Sequence, residues 1–156
     1  MERATVREVL LQLESNRKRL LKPYFQEIGL TLGQGQPRIL NTLLKKDHIS
    51  QRELADQCEM DVTNMSRTLD RMVEAGFLTR ERKPGCRRSY LIVLTEFGRK
   101  KAEEVHRGFK KVDEILWRGF SNEDMEFIVK GLQKMSANLE NMELTVNKKL
   151  DHKLGE

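Results

Sequence analysis

The chain has no run of about 18 apolar residues, so nothing in it reads as a membrane-spanning helix. Its start, Met1-Glu2-Arg3-Ala4-Thr5, leads into a charged amphipathic run instead of the apolar core of a signal peptide, and a cytoplasmic protein is expected. Cysteine and histidine are scarce. Cys58 and Cys86 stand far from any C-x-x-C spacing, and His48, His106 and His152 add no recognisable zinc pattern, so free thiols in a reducing compartment fit best. Also missing are a Gly-rich phosphate loop, a nucleophile elbow, an H-E-x-x-H pair and a paired-carboxylate constellation. The sequence therefore calls for no enzyme activity, no catalytic residue and no cofactor. Asp and Glu are scattered as surface partners for Lys and Arg.

What the chain does have is positive charge and helical periodicity. Its 156 residues can bury a core without a disulfide or metal. The 29 Lys and Arg exceed the 24 Asp and Glu, for a net charge of +5. That balance leans toward polyanionic partners, although +5 spread evenly would be no more than a soluble surface.

Residues 2–28 place Val6, Val9 or Leu10, Leu13, Leu20, Tyr24 and Ile28 at near-helical spacing, which predicts a long amphipathic helix kinked or broken by Pro23 near Lys22. Three glycines and a proline between Gly29 and Pro37 predict a turn, with Pro37 in the first turn of a helix running through Ile39, Leu40, Leu43 and Leu44 to about Lys46. An extended piece, His48-Ile49-Ser50, precedes two close helices. The first spans about Gln51 to Gln57; the second spans about Val62 to Ala75 and is closed by Gly76 as a left-handed cap. In the second helix Val62, Met65, Leu69, Met72 and Val73 form the face expected to be buried, opposite Thr63, Asn64, Ser66, Arg67, Asp70 and Arg71.

After Gly76 the pattern turns extended. Phe77 to Arg82 and Tyr90 to Leu94 are expected strands, joined by the turn-prone Lys83-Pro84-Gly85-Cys86-Arg87-Arg88. Thr95 is a plausible N-cap for a long helix from Glu96 to Trp117, with Phe97, Val105, Phe109, Val112 and Leu116 along one stripe. Ser121-Asn122-Glu123-Asp124 resembles a capping box, opening a last helix with Ile128, Leu132, Leu139, Met142 and Val146. The expected fold class is mainly α with a small β-hairpin wing: a winged helix-turn-helix over 31–97, N- and C-terminal dimerisation helices at 1–30 and 98–150, and a frayed tail at 151–156.

In such an arrangement the second helix of the pair presents its outer face to the major groove of double-stranded DNA. Thr63 and Ser66 are small enough for close approach, Asn64 offers the donor and acceptor that adenine requires, and Arg67 reaches guanine or phosphate; Arg71 lies on the same face. A polar outer face is equally what any solvated helix shows. The hairpin tips the balance, because Arg80, Arg82, Lys83, Arg87 and Arg88 are opposed by Glu81 alone, and a phosphate backbone or narrow minor groove attracts such a tip. Ser50 and the helix start at Gln51 could add hydroxyl and N–H contacts to phosphate. A winged-helix protein–protein adaptor is the rival from another class, against which the basic hairpin and Arg67 argue.

The run from Val62 to Arg80, followed by Arg87-Arg88-Ser89 and Leu94-Thr95-Glu96-Phe97-Gly98-Arg99, resembles the signature of the MarR family, the multiple-antibiotic-resistance regulators. Gly35-Gln36-Pro37-Arg38-Ile39-Leu40 is similar to that family's second helix, and the resemblance covers about residues 5–148. It implies a transcriptional regulator in which the Val62–Ala75 helix reads the major groove and Arg88 enters the minor groove. The family usually has aspartate two residues before that arginine, where this chain has Cys86, and Lys83 also stands where aspartate is common. The hairpin is accordingly more basic than usual and its arginine less tethered.

The end helices carry apolar stripes that a small reading core cannot cover, which predicts a homodimer on a pseudo-palindromic operator; the alternative is a monomeric bundle folded back on its own core. The resemblance further implies repression relieved by a small aromatic or phenolic effector. Its site would lie between the first helix near Arg17 to Tyr24 and the helices beginning near Pro37 and Glu96. Tyr24, Phe25 and Trp117 read first as core or interface aromatics. Cys58 reads as a buried small hydrophobe. Cys86, on a cationic loop that favours thiolate, carries the alternative of a redox-responsive regulator. His106 lacks an i, i+4 partner, so metal sensing is not expected.

Overall fold

A computed structural model describes residues 3–31, 33, 35–86 and 89–154, and of these the side chains of 5–31, 33, 35–86 and 89–143. In chain order the elements are α1 (Arg3–Glu27), α2 (Gln36–Lys45), β1 (Ile49–Ser50), α3 (Gln51–Cys58), α4 (Val62–Glu74), β2 (Leu78–Arg82), β3 (Tyr90–Leu94), α5 (Glu96–Leu116) and α6 (Asn122–Leu154). The fold is mainly helical with a small antiparallel sheet in the order β1-β3-β2. It is a winged helix-turn-helix, as the order of elements in the sequence implies. The chain divides into two compact units, Met1–Glu114 and Ile115–Glu156.

The first unit is built around one buried cluster. Leu21 and Phe25 of α1, Ile39, Leu40 and Leu43 of α2, Leu54 and Cys58 of α3, Met65, Leu69 and Met72 of α4, Ile92 of β3 and Val105 of α5 all belong to it. Periodicity explains the membership: α4 buries Met65, Thr68, Leu69 and Met72, spaced so that they share one face. The first residue of α4 departs from expectation. Val62 is 62 % exposed, because it stands at the free end of the helix, one turn before Met65 and outside the packing that covers it.

Two local expectations are corrected. Of the kink or break expected at Pro23, the break does not occur, since α1 continues to Glu27. The missing N–H costs the Arg19 carbonyl its helical partner, but Leu21 and Phe25, buried on either side, hold the turn in place. His48 is not extended: its φ is +58°, a left-handed conformation uncommon outside glycine. The Asp47 carboxylate accepts a 2.9 Å hydrogen bond from the His48 backbone N–H.

Two glycines in α5 permit close approach. A Cβ on Gly98 would stand 1.8 Å from the Phe77 carbonyl oxygen, and one on Gly108 would stand 2.4 Å from the Tyr24 ring. Beside Gly108, the Tyr24 hydroxyl donates to the Glu104 carbonyl at 2.8 Å. The start of β2 and the end of α1 are both pressed onto the same helix.

In the second unit the Trp117 and Phe120 rings meet edge-on at 5.7 Å. The capping box forms as expected: the Asp124 backbone N–H donates to Ser121 Oγ at 3.1 Å, and the Ser121 N–H donates to Asp124 Oδ2 at 3.1 Å. The Ser121 hydroxyl also donates to Asp124 Oδ2 at 2.8 Å, and this bond, more than the one from the Ser121 N–H, holds the Asp124 carboxyl below the usual carboxylate range. Helix α6 extends to Leu154. No helix among the described residues is long and apolar enough to cross a membrane.

Candidate nucleic-acid interface

The helix pair is set by its caps. Ser50 closes β1 and caps α3, its Oγ accepting from the Glu53 N–H at 3.2 Å, while Gln51 begins the helix half-buried. That bond occupies an acceptor site and leaves the Ser50 hydroxyl its own proton to donate. Asp61 caps α4: its Oδ1 accepts from the Asn64 backbone N–H at 2.9 Å and its Oδ2 from the Asn64 side-chain nitrogen. The backbone bond from Asn64 is the largest of the influences that hold the Asp61 carboxyl below its ordinary range. At the other end the chain turns at Gly76, whose φ is +77°.

With Met65, Leu69 and Met72 facing the core, Thr63, Asn64, Arg67, Asp70 and Arg71 are exposed and Ser66 is half-buried. This face divides in two. Asn64, Arg67 and Arg71 line a cleft of about 700 Å3 that is also bordered by Arg17 and Leu21 of α1, Pro37 and Arg38 of α2, Met60 in the α3–α4 turn, and Phe109 of α5. Toward the hairpin, Asp70 accepts a 2.6 Å hydrogen bond from the Arg80 guanidinium on β2.

The hairpin pairs Leu78 with Leu94 at its root and Arg82 with Tyr90 at its outer end. Beyond the strands, the Lys83 N–H donates to the Ser89 carbonyl at 2.9 Å and the Cys86 N–H to the Lys83 carbonyl at 3.1 Å. Pro84 and Gly85, the latter at φ +77°, occupy the middle of that turn in the arrangement Pro and Gly favour. Arg82, Lys83 and Cys86 are exposed, and the Cys86 thiol donates to Ser89 Oγ at 3.2 Å. Arg87 and Arg88, the latter the expected minor-groove residue, lie outside the described residues.

Sequence reasoning missed what fixes the root of the hairpin. Asp47, 14 % exposed, accepts from the Leu94 N–H at 3.1 Å and from the Arg99 guanidinium at 2.7 Å. Its partners lie 47 and 52 residues away, so no local pattern marks them. The cap at Thr95 was visible: its Oγ1 accepts from the Gly98 N–H at 2.9 Å and donates to the Gly76 carbonyl at 2.6 Å. Cys58 is buried, and burial pushes its thiol up, consistent with an inert core residue. His106 Nδ1 lies 3.1 Å from Asn41 Oδ1, and no cluster that could hold a metal occurs among the described residues.

A capped helix pair whose second helix exposes Thr63, Asn64 and Arg67, joined by Asp70 to a basic hairpin, defines the class of winged-helix DNA-binding proteins. Comparison with known proteins finds similar chains. Residues 28–89 match the MarR family. The chain is 26 % identical over 136 residues to the uncharacterized HTH-type transcriptional regulator YdgJ of Bacillus subtilis, covering 87 % of this chain and 82 % of that one. It is 29 % identical over 96 residues to the HTH-type transcriptional regulator BilQ of Clostridium symbiosum, covering 62 % and 67 %. The putative MarR family regulator of Listeria monocytogenes, solved in complex with 26mer DNA, superposes with a TM-score of 0.78 at 20 % identity, covering 92 % of this chain and 93 % of that one. Over residues 28–89 the chain is similar to the MarR family, and over most of its length it is similar to HTH-type transcriptional regulators.

Proposed function

We propose that the chain acts as a homodimer that reads a pseudo-palindromic operator, represses transcription from it, and is released by a small aromatic or phenolic effector. The observation that carries the DNA-reading part is the Arg80–Asp70 hydrogen bond, which holds the basic strand β2 beside the outer face of α4. Groove-reading side chains and phosphate-seeking cations are thereby contiguous. Thr63, Asn64, Ser66 and Arg67 would meet base edges. Arg71, Lys83, Ser50 and the α3 start at Gln51 would meet phosphates, and Arg88 with Arg87 would enter the adjacent minor groove. Repression is the mode the family resemblance implies.

The dimer is supported by apolar surface that the monomer leaves uncovered. Met125, Ile128, Leu132, Met135, Leu139 and Met142 alternate at spacings of three and four along α6, the repeat of a helix that packs along another helix. Leu139 is 74 % and Met142 64 % exposed in the single chain. In α1, Val9, Leu13 and Leu20 are also exposed. A two-fold dimer would set its two α4 helices roughly 34 Å apart, one turn of duplex.

For the effector, the cleft beside α4 is the natural seat. Its walls include the expected α1 and α2 residues Arg17 and Pro37, and they also include Arg67 and Arg71. A bound anion or aromatic would compete with DNA for those arginines. Selection of bound fragments from random duplex DNA, followed by affinity measured against salt, tests the DNA-reading part. A single recurrent palindromic site with steep salt dependence is expected, and recovery of no preferred sequence would overturn it.

A further inference from the structure

A helix N-cap needs one acceptor oxygen, and Asp61 uses both of its oxygens on the same residue. Oδ1 takes the Asn64 backbone N–H and Oδ2 takes the Asn64 side-chain nitrogen. The second bond is not required to start the helix. It matters because an amide side chain can be turned over at almost no steric cost, exchanging its oxygen for its nitrogen, and only its partners decide the outcome. A carboxylate accepts and cannot donate, so it selects the nitrogen.

We propose that Asp61 is a positioning residue for base reading: its carboxylate holds the Asn64 amide by one N–H and so fixes which way Asn64 offers its carbonyl and remaining N–H to a base. One proton of the amide is spent on Asp61. What remains is a carbonyl oxygen beside a single N–H, the donor–acceptor pair that matches the N6 and N7 edge of adenine. Asp61, exposed at the helix start, is ionised at neutral pH like any solvent-facing aspartate. Asp61 is itself exposed at the start of α4, where the backbone of a reading helix approaches the groove. This inference rests on α4 being the element that reads the duplex.

The experiment separates capping from orientation. Serine and asparagine are both strong N-caps; neither carries an acceptor-only second oxygen for the amide. Wild type, N64A, D61S and D61N are compared on duplexes bearing each of the four base pairs at every position of the selected site, alongside thermal unfolding. Wild type should prefer adenine at one position per half-site, by roughly fivefold to a hundredfold, and N64A should lose that preference. D61S and D61N should lose most of it while keeping the preferences elsewhere and a Tm near that of wild type. Retention of the wild-type preference at that position in both Asp61 variants would overturn the proposal, as would an N64A profile identical to wild type. Wild type that binds no duplex would overturn the DNA-reading assignment itself, which the Asp61 variants alone cannot do.

Discussion

Leu69 and Met72 on α4 are fully buried, whereas Leu139 and Met142 on α6 are 74 % and 64 % exposed, although the four side chains are equally apolar. The first pair lies in a unit where helices from five parts of the chain converge on one cluster; the second lies on a helix with an apolar seam and no cover of its own. The difference teaches where the information for each region resides. The reading unit satisfies its core within one chain, and its caps, at Ser50, Asp61 and Thr95, are completed by neighbours in sequence. Helix α6 has its start specified by Ser121 and Asp124, while Leu139 and Met142 further along it stay exposed.

Breaking the reading unit should have the largest effect. Leu69→Ala, which opens a cavity where the side chain is fully buried, should cost about 2–5 kcal/mol of unfolding free energy in denaturant titration. Breaking the seam should leave that stability largely in place. Leu132→Glu combined with Leu139→Glu should give a monomer by sedimentation equilibrium and lower operator affinity by roughly a hundredfold or more, because the two half-sites are no longer engaged together. An equal loss of reading-unit stability in both variants would erase the distinction between the regions.

Within the reading unit the contrast between helix and hairpin can be sharpened. Arg67→Ala should lower operator affinity by about 1–3 kcal/mol and blur sequence preference, as expected for a base contact. Arg88→Ala should weaken binding to most sequences alike and reduce the slope of log affinity against log salt by about 1. The reverse pattern would mean that the roles of α4 and the hairpin are exchanged.

The smallest effect concerns pH. Asp61 and Asp124 both have carboxyls held low by their capping bonds. A depressed folded-state value means that their contribution is present above the ordinary carboxylate range and is lost as pH falls through the folded value. Thermal unfolding of wild type and Asp61→Ala, which removes the cap, should therefore converge between about pH 5 and pH 2 as the pH drops. Parallel curves would show that the cap carries no charge-dependent share.

Much of this architecture was legible in the sequence because it is decided locally. Thr95 and Ser121 sit one residue before the helices they open, Gly76 two residues after the end of α4, and Pro84-Gly85 announces the hairpin turn. Illegible parts depend on distant partners. Asp47 looks like a surface carboxylate until Leu94 and Arg99 reach it. Gly98 and Gly108 look like weak points in α5 until Phe77 and Tyr24 are found against them. Of the site, the outer face of α4 followed from the spacing of Met65, Leu69 and Met72. Its division between a cleft lined by Arg67 and a hairpin joined through Asp70 did not, because both depend on how α1 and β2 pack. The break allowed for at Pro23 does not occur for a related reason: Leu21 and Phe25, buried on either side, keep the helix going.

The central claim is that two copies of this chain together present cationic reading heads to one duplex. Sedimentation of the purified protein with a selected operator fragment, repeated across a salt series, addresses it directly. Two chains per duplex and an affinity that falls steeply as salt rises are expected. One chain per duplex, or no complex even at low ionic strength without effector, would contradict it.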